Sequence, residues 1–159
     1  MQVSGPIDDT ELVDAFIRAS RALVAVAARS LAGLEDEVTL PQYRVLVVLA
    51  TQGTQRSADL ASSLGVTPST ASRMIDRLVR KGLVRRSRTR DDRRSVRLQL
   101  TEAGRDVVAQ VTQRRRAEIV RILRQIPKSE RPGLNDALRS FATAAGETPE
   151  LDWALGWEA

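Results

Sequence analysis

The stretch DLASSLGVTPSTASRMIDRLVRKGLVRR, residues 59–86, decides how this chain folds. Leu60, Ala61 and Leu64 fall on one face of a short helix that the spacing predicts over Ser57 to Leu64. Gly65-Val66-Thr67 then reads as a tight turn. Gly65 permits the sharp reversal, and the small Ala61 lets a second helix cross closely. Thr67 is a natural N-cap, and Pro68 suits the first helical position. The second helix is expected to run to Lys81 and stop at Gly82. Its inward side is Ala71, Met74, Ile75 and Leu78. Its outward side is Ser69, Thr70, Ser72, Arg73 and Arg77, all hydroxyl-bearing or forked groups.

Downstream, Leu83 to Ser87 and Ser95 to Leu100 read as two strands of a hairpin. Val96, Leu98 and Leu100 alternate with Arg97 and Gln99, a period of two. Between them lies the polar loop Arg88-Thr89-Arg90-Asp91-Asp92-Arg93-Arg94. Upstream, Thr39-Leu40-Pro41-Gln42 resembles a capping box. The apolar run Val45 to Ala50 fits a buried strand by periodicity, but the cap and the length from Leu40 to Thr51 argue for a helix. The predicted module over 40–100 is therefore a winged helix-turn-helix.

Long helices flank it. Over 8–34, Leu12, Ala15, Phe16, Ala19, Leu23, Val26, Ala27, Leu31 and Leu34 recur at helical steps. Thr101 caps a helix that continues past Arg124, carrying Val107, Val108, Val111, Ile119, Val120, Ile122, Leu123 and Ile126. Pro127 ends it. Ser129 is expected to cap a last helix bearing Leu134, Leu138, Phe141, Ala142 and Ala145. The tail 147–159 has no assigned role. The whole, 1–159, is read as one mainly α domain with a small β-hairpin wing.

Composition excludes much. The 159 residues are 42% apolar and 28% charged, a globular balance, and aromatics are only 3%. Cysteine and histidine are absent. That removes disulfides, thiol nucleophiles, thiolate metal sites and imidazole chemistry. No Gly-rich phosphate loop exists, so an enzyme is not expected, nor a cofactor or metal. Asp91-Asp92 is a tight acidic pair, and its neighbours Arg90, Arg93 and Arg94 disfavour a cation. The longest apolar run is far short of a membrane span. No secretory pattern opens the chain, so the cytoplasm is the expected compartment.

The charge is concentrated. Residues 73–97 hold eleven basic and three acidic side chains, a net +8, while the remainder is net −3 with fourteen and seventeen. Dense arginine on a folded module is the electrostatic footprint of a polyanion binder. A helix fits the major groove of double-stranded DNA, and its first turns reach base edges. Loop arginines suit the narrower minor groove. The candidates for DNA contact are Thr67, Ser69, Thr70, Ser72, Arg73 and Arg77 on the helix, with Arg88, Arg90 and Arg94 on the loop. A non-specific, architectural DNA-binding protein is the alternative.

The string DRRSVRLQLTEAG, from Asp92, resembles the wing signature of the MarR family of winged-helix transcriptional regulators. The matching residues are Asp92, Arg94, Leu98, Leu100, Thr101 and Gly104. LPQYRVLVVLA (40–50) and residues 59–86 are similar to the family's second helix and its reader with the first wing strand. The resemblance covers about 8–146. It implies a homodimer on a palindromic promoter site, with Arg94 in the minor groove and Asp92 orienting the loop by ion pairing. It also implies a small effector, often aromatic and anionic, that releases DNA, as a repressor requires. The family branch that senses oxidants through cysteine does not carry over.

The dimer also follows from the residues. The helices at 8–34 and 101–146 carry apolar stripes left over once the reader has its core, and a second copy can cover them. Leu12, Phe16, Ile119, Ile122, Leu123, Leu134, Leu138 and Phe141 are the candidates; an intramolecular three-helix bundle is the alternative. For an effector the candidates are Phe16, Tyr43, Arg44 and Leu46. Their other reading is plain core for the apolar three and an exposed cation for Arg44.

Overall fold

The computed structural model describes residues 8–34, 38–88 and 96–147. The order of elements is α1 (Asp9–Ser30), α2 (Leu40–Gln52), β1 (Gln55–Arg56), α3 (Ser57–Leu64), α4 (Pro68–Arg80), β2 (Val84–Arg88), β3 (Val96–Leu100), α5 (Glu102–Leu123) and α6 (Arg131–Ala144). The architecture is mainly α with a small antiparallel wing sheet, as expected.

Local chemistry sets most boundaries. The Thr39 hydroxyl accepts from the Gln42 amide at 3.5 Å, and Gln42 accepts from the Thr39 amide at 3.2 Å. This capping box starts α2 as a helix, and Val45, Leu46, Val48 and Leu49 are all buried on it. Gly65 takes the left-handed conformation (φ 64°, ψ 34°) that ends α3. Thr67 then caps α4, accepting from the Thr70 amide at 3.3 Å.

Three expectations need correction. α1 stops at Ser30 rather than at residue 34. Leu31 and Leu34 are still buried, but from the turn after the helix, where Gly33 has φ 81°. α5 stops at Leu123, and Ser129 does not cap α6. The N-cap position is Glu130, without a side-chain cap bond; Arg131 instead forks onto the Ile126 carbonyl at 3.2 and 3.1 Å. Pro132 in the first turn of α6 needs no amide partner, which suits a start at 131.

The sheet has three strands in the order β1-β3-β2. β2 and β3 pair from Val84↔Leu100 to Arg88↔Val96. β1 adds Gln55↔Leu98 and Arg56↔Arg97, a strand too short for any periodicity to reveal.

One core runs through the molecule. Leu46, Leu60, Ile75, Leu78 and Leu98 are fully buried in it. Each such side chain contributes roughly 1.5–3 kcal/mol. Leu31, Leu34 and Val38 before the reader, and Val107, Val108 and Val111 after it, belong to the same cluster. The core is thus wider than 40–100. Among the described residues, no helix is long and apolar enough to cross a membrane.

The joint between wing and α5 is tight. Thr101 Oγ1 donates to the Gly82 carbonyl at 2.6 Å and accepts from the Gly104 amide at 3.0 Å. A Cβ at Gly104 would sit 2.1 Å from the Leu83 carbonyl oxygen. That is backbone, so it cannot rotate away. Gly104→Ala should therefore cost about 1–3 kcal/mol by overpacking. A thermal melt should show a midpoint several degrees lower; an unchanged midpoint would mean the joint is looser than this.

α1 is latched to α5 by charge. Glu118 accepts from Arg29 Nε at 2.7 Å and from Arg121 Nη2 at 2.8 Å. Arg114 donates to the Ala32 carbonyl at 2.7 Å. The Arg121 hydrogen bond, helped by Arg29, holds the Glu118 carboxyl below its ordinary value. A depressed carboxylate stabilises the fold above its ordinary pKa, and that contribution is lost as pH falls through the folded value. Glu118→Gln should melt earlier than wild type at neutral pH, and the gap should close in acid. A gap independent of pH would show that the ion pair is not its source.

Candidate nucleic-acid interface

α4 is two-sided. Ala71, Ile75 and Leu78 are buried and Met74 half-buried, while Thr67, Ser69, Ser72, Arg73 and Arg77 are exposed and Thr70 is half-buried. The apolar residues are spent on the core, so the outward face is left polar. Its first turn is a hydroxyl cluster. Thr67 Oγ1 lies 3.1 Å from Ser69 Oγ and 2.9 Å from Thr70 Oγ1. Thr67 thus serves first as the cap that orders its neighbours. Arg73 lies along the helix, its Nε 3.4 Å from the Ser69 carbonyl. Arg77 has no side-chain hydrogen bond or ion pair among the described residues.

The basic segment is not uniformly available. Arg86 pairs with Asp76 of α4, tying β2 to the reader helix. Arg85 donates twice to Gln99 Oε1, at 3.2 and 3.0 Å. Arg88 closes β2. Arg90, Asp92 and Arg94 lie outside the described residues.

The residues of the wing motif sort by their physical task. Leu98 and Leu100 are buried, Thr101 caps α5, and Gly104 gives room to the Leu83 carbonyl. Four of its six positions therefore build the joint that aims the wing.

The effector candidates do not converge. Leu46 is sealed in the core, Tyr43 is buried, and Arg44 is exposed. The Tyr43 hydroxyl is 3.4 Å from Thr112 Oγ1, and the Arg115 guanidinium stands 5.5 Å over its ring. Arg115 Nε is buried with no hydrogen-bond partner among the described residues. Phe16 lies elsewhere, stacked on Phe141 with centroids 4.6 Å apart, and lines a groove with Leu12, Ile17, Leu23 and Leu138. Of the dimer candidates, Leu12, Ile122, Leu138 and Phe141 are exposed; Phe16, Ile119, Leu123 and Leu134 are half-buried.

An outward polar helix on a packed core, beside a basic hairpin, defines a winged-helix DNA-binding protein. The MarR family model matches residues 38–96. The RV1404 protein from Mycobacterium tuberculosis is 44% identical, over 92% of this chain and 99% of its own, with a TM-score of 0.83. YfiV, an uncharacterized HTH-type transcriptional regulator of Bacillus subtilis (strain 168), is 30% identical over 108 residues, 68% of each chain. The HTH-type transcriptional repressor MdtR of the same organism is 33% identical over 93 residues, 58% of this chain and 60% of its own. The chain belongs to the MarR family of DNA-binding transcriptional regulators, and not to a family of enzymes.

Proposed function

We propose that two copies of this chain grip a palindromic promoter site in double-stranded DNA and repress transcription until a small anionic effector releases them. The observation that carries this reading is the exposed hydroxyl-and-arginine face of α4, ordered at its first turn by Thr67. Ser69, Thr70 and Ser72 reach phosphates or bases at short range, and Arg73 and Arg77 reach further. From the sequence, Arg88, Arg90 and Arg94 are assigned to the minor groove and Asp92 to orienting the loop. Repression is further supported by the relative MdtR, which is named a repressor.

Pairing is supported by the apolar side chains that one copy leaves in water. Leu12, Val13, Ile17, Leu23, Val24, Val120, Ile122, Leu138 and Phe141 are all exposed. Such a patch marks an interface. Phe16, Tyr43, Arg44 and Leu46 are divided between groove, core and surface, so effector release rests on the family resemblance.

Selection of binding sites from random duplexes tests the reading. Two half-sites about one helical turn apart should emerge, and binding should fall steeply with salt. Equal affinity for random DNA would favour the architectural alternative.

A further inference from the structure

Arg56 of β1 and Arg97 of β3 stand directly opposite each other in the antiparallel pair. Residues so placed project to the same face of a sheet, with Cβ atoms roughly 4.5–5.5 Å apart, and like charges there repel. Leu98 is buried on the core face, so strand alternation turns Arg97 outward, and Arg56 with it. Arg85, Ser87 and Gln99 share this outward face through the pairs Arg85↔Gln99 and Ser87↔Arg97. The described part of the face thus carries three arginines and no carboxylate. Arg85 is engaged by Gln99, whereas Arg56 and Arg97 make no side-chain hydrogen bond or ion pair among the described residues. Asp59, three residues after Arg56, pairs with neither.

The fold therefore holds two like charges face to face without a counter-charge of its own. We propose that Arg56 and Arg97 grip one backbone phosphate of the bound duplex. Guanidinium forks suit the oxygens of a phosphate, and two of them approach it from either side. The register says which anion lies within reach. Arg97 is one pair in from Arg88↔Val96, where the described strands end. The loop beyond carries Arg90 and Arg94, assigned above to the minor groove. A wing entering that groove has a row of phosphates along each side, and contacts to these position a protein on its duplex. The clamp rests on that reading of the wing only for the place of its phosphate. Bound there, the phosphate neutralises both arginines and removes a repulsion that the free protein carries.

The test uses the full chain and fluorescence anisotropy, with one selected and one scrambled duplex over a range of salt. Arg56→Gln and Arg97→Gln should each bind both duplexes about tenfold more weakly and leave their ratio unchanged, as a phosphate contact requires. The double variant should bind little worse than either single one, because both side chains hold the same phosphate. Its salt slope should be shallower by about one for each copy bound. In duplexes carrying a single neutral methylphosphonate, one position per half-site should weaken the wild type and not the double variant. Without DNA, both single variants should melt no lower than the wild type at low salt. Arg56→Glu, which gives Arg97 an opposite charge, should melt higher, and added salt should shrink the difference.

Wild-type affinity and salt slope in the double variant overturn the proposal. Losses that add across the two positions also overturn it, since each arginine then holds a phosphate of its own. A loss confined to the selected duplex makes the pair a reader of bases and overturns it as well. So does an earlier melt of the single variants at low salt, which shows the two side chains supporting the sheet rather than repelling each other. A sensitive phosphate away from any minor groove supports the clamp and overturns only the placement of the wing.

Discussion

Replacing Arg73 and Arg77 together by alanine should abolish site-specific DNA binding and leave the fold intact. Both side chains are exposed on α4, and neither packs in the core. Their loss should change stability by no more than about 0.5 kcal/mol, the usual range for surface positions. A forked arginine–guanine contact is worth roughly 1–3 kcal/mol of discrimination. Two per half-site, on two half-sites, put the selected sequence within reach of random DNA. Gel-shift titrations at fixed salt, with selected and scrambled duplexes, read the ratio directly. Arg73→Ala alone should relax the preference at one position. A double variant with wild-type discrimination would remove α4 from base reading, whatever happened to total affinity.

The second large effect should come from the opposite end of the molecule. Phe141→Asp should turn a dimer into a monomer. In one copy Phe141 is 52% exposed and Leu138 is 46% exposed, and α6 has no buried residue. Covering each of these side chains is worth up to roughly 1.5–3 kcal/mol, and an unpaired carboxylate in their midst reverses that gain. Light scattering should give twice the chain mass for wild type and the chain mass for the variant. The wild-type melting temperature should rise with protein concentration, as it does when pairing stabilises the fold. Affinity for a palindromic site should fall steeply, because one copy reads one half-site. Phe141→Leu, which keeps an apolar surface, should remain dimeric. A monomeric wild type would end the proposal and favour a face closed within one chain.

Much of the reader was legible because its signals are local. Thr39, Pro41 and Gln42 start α2, Thr67 and Pro68 start α4, and Thr101 starts α5, each through contacts at most three residues apart. The polar face of α4 was equally legible, since a helix sorts its residues by spacing alone. The corrections lie where sequence neighbours do not decide. A good capping residue at Ser129 yields to Arg131, which reaches back to Ile126. β1 exists because Gln55 and Arg56 meet β3 some forty residues later. The charge count over 73–97 was right, but it could not show that Asp76 engages Arg86 and that Gln99 engages Arg85.

By itself the sequence determined the order of helices, the hairpin, the concentration of positive charge and which side of α4 stays in water. Those follow from periodicity and capping, which act within a turn or two of chain. Only the tertiary structure decided why Gly104 must be glycine, which arginines are already engaged, and that Arg56 stands opposite Arg97. These depend on atoms far apart in the chain, brought together when the core closes, and no local preference encodes such distances.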